Sequence, residues 1–310
     1  MTEFGLRMPT WIPVTIAAAF FQVWRTALQA RLRTALSATG AAYVRYLYAL
    51  PLDTVLLLVA WAGVQAPFPA LAPRVLGLCL IGGVGQIIGT ILLIQAFGRR
   101  NFVVGTAYAK TEAAQLVLFS VVVLGVHLPA LAIAGILTAV VGVLSLSFVG
   151  HDRVQGLLRA SLQPAALLGL GAGTAFAITA LALRRASLLM PAATPVLFKG
   201  LLLLLVTNTL QTLIQGAYMA VSQPATLRQC LSAWRRAAPV GVLSALGSWG
   251  WFTGFCLTHA ALVRGLGQIE IVFTFLFGHH LLKERVRLGE VLSVVVVVLG
   301  VTLIAVSGHG

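Results

Sequence analysis

A small set of ionisable side chains lies inside long apolar stretches of this chain, where charge is costly. They are Arg25, Arg45, Lys110, Lys199, Glu112 and Glu270, with Asp53 as a further member. Within a bilayer such groups cost on the order of a few kcal/mol unless they are paired or hydrated, and they typically mark pathways for ions or solutes. They are therefore the first candidates for binding a solute or a proton.

Helical spacing adds amide and aromatic side chains to this set. The full set of candidate binding or coupling residues is Gln22, Arg25, Gln29, Gln86, Tyr108, Glu112, Gln115, Trp249 and Glu270. Gln22, Arg25 and Gln29 follow one another at i, i+3 and i+7, so one helix face carries all three. An aromatic ring such as Trp249 is suited to stacking on a planar solute, although tryptophan at a helix end is also a common interfacial anchor.

A second face carries the carboxylate that we favour as a proton site. Tyr108, Glu112 and Gln115 align on one helix face, whereas Lys110 points away from Glu112. A buried glutamate exchanges protons readily when desolvation disfavours its charged form. Gln86 lies in a glycine-rich segment, where small residues let helices approach closely.

Each of these residues also has a structural interpretation. Arg25 could neutralise Glu112 in a fixed interhelical pair, which would remove Glu112 as a proton site. Arg45 and Lys199 lie near span starts, where long basic side chains reach toward the membrane interface. Glu270, our second candidate proton site, could have a packing role, and so could Gln86.

The elements that position these residues must be membrane-spanning. The chain has 310 residues, a mean hydropathy of +0.99, 59% hydrophobic residues and 9% charged residues. Soluble domains have about 25% charged residues, so this chain has too few to form the water-exposed surface of a soluble domain. The sequence predicts ten spans, at residues 11–32, 39–64, 74–97, 102–125, 128–149, 164–186, 192–218, 236–260, 262–282 and 287–307. Each must be helical, because backbone polar groups cannot remain unpaired in hydrocarbon.

The chain also contains an internal repeat. A shift of 158 residues superposes Phe97 on Phe255, Glu112 on Glu270, Leu118–Phe119 on Leu276–Phe277, and Gly142 on Gly300, and a shift of 154 residues superposes Ala18 on Ala172 and Arg45 on Lys199. Five helices per repeat is an odd number, so the second repeat inserts upside down, as in alternating-access transporters. The predicted fold is all-α and integral to the membrane, with ten transmembrane helices in two inverted five-helix repeats. Residues 1–150 form the first repeat, 151–163 the connecting loop and 164–310 the second repeat.

The net charge of +14 does not indicate nucleic-acid binding, because the basic residues are scattered between apolar segments. Twelve of them follow the odd-numbered spans and five lie on the opposite face, which predicts that both termini are outside the cytoplasm. The three cysteines are dispersed and form neither a disulfide framework nor a metal-binding pattern.

Two short stretches resemble a known transporter family. Residues 41–47, Ala-Ala-Tyr-Val-Arg-Tyr-Leu, resemble the opening of the second helix in EamA-type transporters. Residues 282–288, followed by an apolar helix that contains Gly300, resemble the element that closes their repeats. Over its whole length the chain is similar to the drug/metabolite transporter superfamily. The turn at Val126-His127-Leu128 lacks the charges usual in that element, and termini outside the cytoplasm conflict with the resemblance.

The resemblance implies a central cavity lined mainly by the first, third, fourth, sixth, eighth and ninth spans. Four basic groups against two carboxylates favour an anionic or zwitterionic solute. We therefore expect a secondary transporter of the inner membrane, an exporter of an amino-acid-like, opine-like or vitamin-like metabolite. The alternatives are a cationic drug efflux carrier and a membrane assembly protein without a transport cycle. An enzyme is not expected, because clustered aspartates and a zinc motif are missing from the sequence. The expected partners are the solute, protons if transport is coupled to them, and membrane lipid, without a cofactor or a metal.

Overall fold

The computed structural model describes residues 9–32, 36–64, 68–97, 108–148, 164–282 and 288–308. Within these ranges the chain is helical and contains no strand. The helices are α1 Trp11–Leu32, α2 Ala38–Leu47, α3 Leu50–Val64, α4 Pro73–Phe97, α5 Glu112–Leu118, α6 Ala130–Phe148, α7 Pro164–Leu189, α8 Val196–Ser222, α9 Pro224–Ser232, α10 Trp234–Leu257, α11 Ala260–Leu266, α12 Glu270–Leu282 and α13 Leu288–Ser307. A π-helical turn, Phe119–Val123, continues α5, and a 3₁₀ turn, Gly267–Ile269, joins α11 to α12.

Seven helical stretches of the described chain are long and apolar enough to cross a membrane. They are Thr39–Val64, Pro73–Leu93, Pro164–Leu189, Val196–Ser222, Trp234–Leu257, Ala260–Phe277 and Leu288–Ser307. Two shorter apolar helices, Glu112–Val123 and Ala130–Leu146, fall in two further predicted spans. The remaining predicted span is α1, in which Gln22 and Arg25 lower the hydropathy. The all-α class is confirmed for the described residues, and the apolar helices are those of a multi-pass membrane protein.

Three pairs of helices make the most extensive contacts: α4 with α7, α6 with α13, and α1 with α10. Glycines allow the close approach. Gly142 of α6 lies against Ser293, and Gly135 lies against Gly300, so positions that advance along α6 retreat along α13. The two helices are therefore antiparallel. The same analysis makes α4 and α7 antiparallel, with Gly89 against Phe176 and Gly82 against Leu183.

Gly300 is the tightest point of the contact between α6 and α13. A Cβ added there would lie 2.4 Å from the Ala139 backbone nitrogen, which cannot move without shifting the whole of α6. We expect Gly300→Ala to lower the free energy of unfolding by about 1–3 kcal/mol, the usual cost of overpacking. Unfolding in detergent micelles, followed by circular dichroism, measures the change.

The matched control is Gly77→Ala on α4, because a Cβ at Gly77 meets nothing within 4 Å. Equal stabilities of the two variants would contradict the close packing of α6 on α13.

Two helices of the fold are interrupted. The second predicted span breaks between α2 and α3, where α10 passes so closely that a Cβ on Gly241 would lie 2.4 Å from the carbonyl carbon of Tyr48. Pro51 is the second residue of α3, where its missing N–H is harmless. The ninth predicted span is interrupted by the 3₁₀ turn between α11 and α12. Pro239 lies inside α10, which continues through it.

The polar stretch between the seventh and eighth predicted spans, which belongs to neither span, forms a helix. This helix is α9, which packs on α2 with Cys230 and Thr226 against Gly40. The Tyr48 hydroxyl donates to the Cys230 carbonyl oxygen at 2.9 Å. Burial raises the pKa of the Cys230 thiol to about 11. The other polar stretch, residues 151–163, lies outside the described residues.

Candidate functional site

The predicted carboxylates lie in two segments, the start of α5 and the region that joins α11 to α12. These two segments contact each other. Lys110 lies in the turn before α5, and Glu112 is the first residue of α5. Glu270 is likewise the first residue of α12, directly after the 3₁₀ turn. Each carboxylate therefore lies at a helix start, where the helix dipole favours negative charge.

Glu112 is paired with Arg264 of α11. Arg264 donates from Nε to Glu112 Oε1 at 2.7 Å and from a terminal nitrogen to Oε2 at 2.5 Å. The guanidinium carbon also lies 4.6 Å from the ring centroid of Trp251, in cation–π geometry. Glu112 is buried. A buried bidentate pair of this kind fixes the positions of both side chains.

Glu270 contacts a lysine in the turn before α5 and a glutamine of α1. Its Oε1 forms an ion pair with Lys110. Its Oε2 accepts a hydrogen bond from the Gln22 side-chain amide at 2.5 Å. The indole of Trp251 then donates to the Gln22 side-chain oxygen at 2.9 Å. Hydrogen bonds and ion pairs, with the cation–π contact of Arg264 and Trp251 as the link between them, thus connect one set of residues, which we call the central network: Gln22, Lys110, Glu112, Trp251, Arg264 and Glu270.

The sequence predicted Gln22, Glu112 and Glu270 of the central network. Arg264 was not among the candidates, although it lies inside the ninth predicted span. That position was itself the signal for a buried charge. Lys110, which the sequence predicted to point away from Glu112, is ion-paired with the other carboxylate, Glu270.

Arg25 is buried beside the central network without a carboxylate. Its side chain is 6% exposed, and its Nε has no hydrogen-bond partner. Among the described residues no carboxylate lies within salt-bridge distance of Arg25, and the predicted alternative pair with Glu112 does not form because Arg264 occupies Glu112. The cations near Arg25 include Arg45, Lys110 and Arg264, and each repels it.

Arg45 has a similar environment on the last turn of α2. It is 8% exposed, its Nε also lacks a partner, and its guanidinium carbon lies 4.9 Å from the centroid of the Tyr46 ring. The structure therefore buries Arg45 in protein, whereas the sequence analysis also considered it as a residue that reaches the interface. Lys199 is only half-buried, in the first turn of α8.

The remaining predicted glutamines form hydrogen bonds between pairs of helices. Gln29 donates to the Ala41 carbonyl oxygen at 2.6 Å, which joins α1 to α2. Gln115 accepts from the Thr174 hydroxyl at 2.7 Å, which joins α5 to α7. Gln86 accepts from the Gln211 side-chain amide at 2.7 Å, which joins α4 to α8. None of the three makes a hydrogen bond to the central network.

The two predicted aromatic residues also lie outside the central network. Trp249 is half-buried and donates from its indole nitrogen to the Leu197 carbonyl oxygen at 3.3 Å, between α10 and α8. Tyr108 is half-buried, and its carbonyl oxygen accepts the Thr111 hydroxyl at 2.6 Å. Trp251, two residues after Trp249, is the ring that the network uses.

A separate polar contact lies between α3 and α8. Asp53 is fully buried, and its Oδ2 accepts a hydrogen bond from the Asn208 side-chain amide at 2.6 Å. Its Oδ1 is buried without a partner.

Two cavities, of about 270 and 530 Å³, lie away from the central network. The smaller has an aromatic and proline-rich wall that includes Trp61, Phe68 and Phe198. The larger follows the apolar groove between α4 and α7 at Gly85 and Gly171. Among the described residues, no three His, Cys, Asp or Glu side chains come together as a metal-binding group.

The chain matches no family model and no curated protein by sequence. Among solved structures 29 chains match. One of them, described only as the crystal structure of a protein, has a TM-score of 0.67 and 16% identity, over 96% of this chain and 97% of that chain. At this identity the likeness shows a shared fold alone.

Proposed function

We propose that the chain is a secondary transporter that moves a small anionic or zwitterionic metabolite by alternating access. The observation that carries this proposal is Arg25, a buried cation beside the central network that no described carboxylate neutralises. An uncompensated charge inside a membrane protein is expensive, so it is retained where an ion or solute compensates it. The carboxylate of an amino-acid-like solute is the expected partner.

The charge balance around the network supports this class of solute. Glu112 with Arg264 and Glu270 with Lys110 cancel as pairs. Arg25 and Arg45 are then the buried cations left over among the described residues of this region. A cationic drug would meet these charges and find both carboxylates occupied, so the arrangement favours an anion over the cationic efflux alternative.

The proposed architecture is ten spans in two inverted five-helix repeats, as in the drug/metabolite transporter superfamily. Reciprocal contacts support it. With a shift of 158 residues, Gly135 corresponds to Ser293 and Gly142 to Gly300, so the contact of Gly142 with Ser293 is the exchanged counterpart of Gly135 with Gly300. Exchanged contacts between antiparallel helices are expected from a two-fold relation between repeats.

The central network also connects the two proposed repeats. Gln268 lies 158 residues after Lys110, and its side-chain amide approaches the Lys110 carbonyl oxygen at 3.5 Å. The two ion pairs join residues of one repeat to residues of the other. We therefore assign them the role of a latch that holds the two repeats together in one state of the transport cycle.

We further propose an inner-membrane location, export as the direction, and termini outside the cytoplasm. The orientation depends on the distribution of basic residues between the loops. The location and the direction depend on the resemblance to EamA-type transporters.

Counterflow in proteoliposomes tests the proposal. Vesicles containing the purified protein are loaded with an unlabelled amino-acid mixture and diluted into a trace of the same mixture carrying a radiolabel. We expect transient accumulation of label inside, at least several-fold above protein-free vesicles, because a carrier exchanges solute across the membrane.

A parallel measurement with a labelled organic cation separates the competing functions. Counterflow of the cation alone would support cationic drug efflux. No counterflow with amino acids, carboxylate vitamins or the cation would support an assembly protein and contradict the carrier.

A further inference from the structure

Asp53 differs from the two carboxylates of the central network. Glu112 and Glu270 each contact a cation, whereas the single side-chain partner that the structure gives Asp53 is the neutral amide of Asn208. Asp53 has no exposed surface, and its Oδ1 is buried without a partner. An ionised carboxylate in such a place would lack both water and a counter-ion.

Asp53 and Asn208 both lie deep within apolar helical stretches, which makes their environment still more apolar. Asp53 lies near the middle of the 26-residue stretch Thr39–Val64, and Asn208 lies near the middle of the 27-residue stretch Val196–Ser222. Apart from the exposed Thr54, the residues of α3 that flank Asp53 are apolar, and Val55, Leu58 and Val59 are exposed on the outer surface of the protein.

The described elements that pack on α3 carry several charged or titratable side chains. α3 packs on α8 and α10 and follows α2. The titratable groups of these helices and of the turn before α3 are Lys199 and Tyr218 on α8, Arg235, Arg236 and Cys256 on α10, and Tyr43, Arg45, Tyr46 and Tyr48 on or beside α2. Lys199 is nine residues from Asn208, about 13 Å along a helix with a rise of about 1.5 Å per residue. None of these side chains is within salt-bridge distance of Asp53.

A charged group buried without a partner is usually neutralised by gaining or losing a proton, because a neutral group loses far less on leaving water. The Asn208 side chain suits either form of Asp53. Its amide nitrogen donates to a carboxylate oxygen, and after a half-turn of the amide its oxygen would accept from a protonated carboxyl.

We propose that Asp53 is the proton-binding site of this protein and that it carries a proton in the conformation described. This inference rests on the proposed transport function for its role but not for its chemistry. When the α3–α8 interface opens to water, the O–H bond of the carboxyl breaks and the proton passes to a water molecule. Solute movement in the opposite direction is coupled to this release. Glu112 and Glu270, which are ion-paired with Arg264 and Lys110, are latch residues.

The protonation state can be measured without transport. The chain has two aspartates, Asp53 and Asp152. Protein carrying Asp152→Asn and labelled with carbon-13 at the aspartate side-chain carboxyl therefore gives one labelled aspartate signal. In proteoliposomes at pH 7 we expect the carbon chemical shift of a neutral carboxylic acid. The shift of an ionised carboxylate at that pH would overturn the proposal.

Coupling is measured with Asp53→Asn, which keeps the shape of the side chain but binds no proton. For one-to-one exchange of a net-neutral solute, a pH gradient of one unit supports up to about tenfold accumulation. We expect this accumulation in the wild type and equilibration of the solute to a ratio of about one in the variant, because the amide binds no proton. The matched control is Thr54→Val, an exposed neighbour, which should retain the gradient effect.

The outcomes separate the two proposals. If the protein shows counterflow and the Asp53→Asn variant still accumulates solute in response to a pH gradient, the proposed role of Asp53 is overturned. The proposal that the protein is a carrier would be unaffected. Absence of counterflow in the wild type would overturn the carrier, while the carbon-13 shift would still decide whether Asp53 holds a proton.

Discussion

Replacing Arg264 with methionine is expected to lower the free energy of unfolding by about 3–5 kcal/mol, because it leaves the Glu112 carboxylate buried without its cation. The measurement is chemical unfolding in detergent micelles, followed by circular dichroism. The geometry makes the effect large, since both oxygens of Glu112 accept from the same guanidinium at 2.7 and 2.5 Å.

The double variant Glu112→Gln with Arg264→Met is the control for this prediction. With both charges removed no buried ion lacks a partner, so most of the lost stability should return. Additive losses in the double variant would contradict a direct pair. Once stability is restored, a loss of counterflow in the double variant would support the role of the pair as a latch in the transport cycle.

Replacing Arg25 with glutamine is expected to raise the solute concentration for half-maximal counterflow by about 10- to 100-fold. Hydrogen bonds to charged groups contribute about 1.5–3 kcal/mol, and Arg25 is the buried cation that we assign to the carboxylate of the solute. Measuring counterflow rate against solute concentration, with the amount of protein in the membrane determined separately, gives the ratio.

Two variants distinguish solute binding from a structural role of Arg25. Arg235→Gln removes an exposed cation from the first turn of α10 and should leave the concentration dependence unchanged. Arg25→Lys keeps the charge and should recover part of the affinity. If Arg25→Gln is lost from the membrane and the remaining protein binds solute normally, the structural interpretation of Arg25 is correct.

The central network gives the proposed cycle a concrete switch. Its two ion pairs connect the start of α5 with the region that joins α11 to α12, and Gln22 and Trp251 add α1 and α10. Breaking one pair exposes a charge that must find water or solute, so an opened state is favourable only when the opening is hydrated. This is the behaviour that alternating access requires of a latch.

The amino-acid sequence was sufficient to predict an all-α, multi-pass membrane protein and to identify the side chains that are costly to bury. Both follow from local properties: runs of apolar residues long enough to cross a bilayer, and charges within those runs. It therefore predicted the helices and placed Gln22, Glu112 and Glu270 among the candidates. It placed Gln22, Arg25 and Gln29 on one face of α1, from which Gln22 contacts the network and Gln29 contacts α2.

Only the tertiary structure decided which charges are paired. Glu112 meets Arg264, 152 residues away, and Glu270 meets Lys110, 160 residues away. Such partners depend on how distant helices cross, and helical periodicity within one segment carries no information about that. The same physical reason hid the contrast between the paired glutamates and Asp53: burial without a cation is a property of the assembled helices.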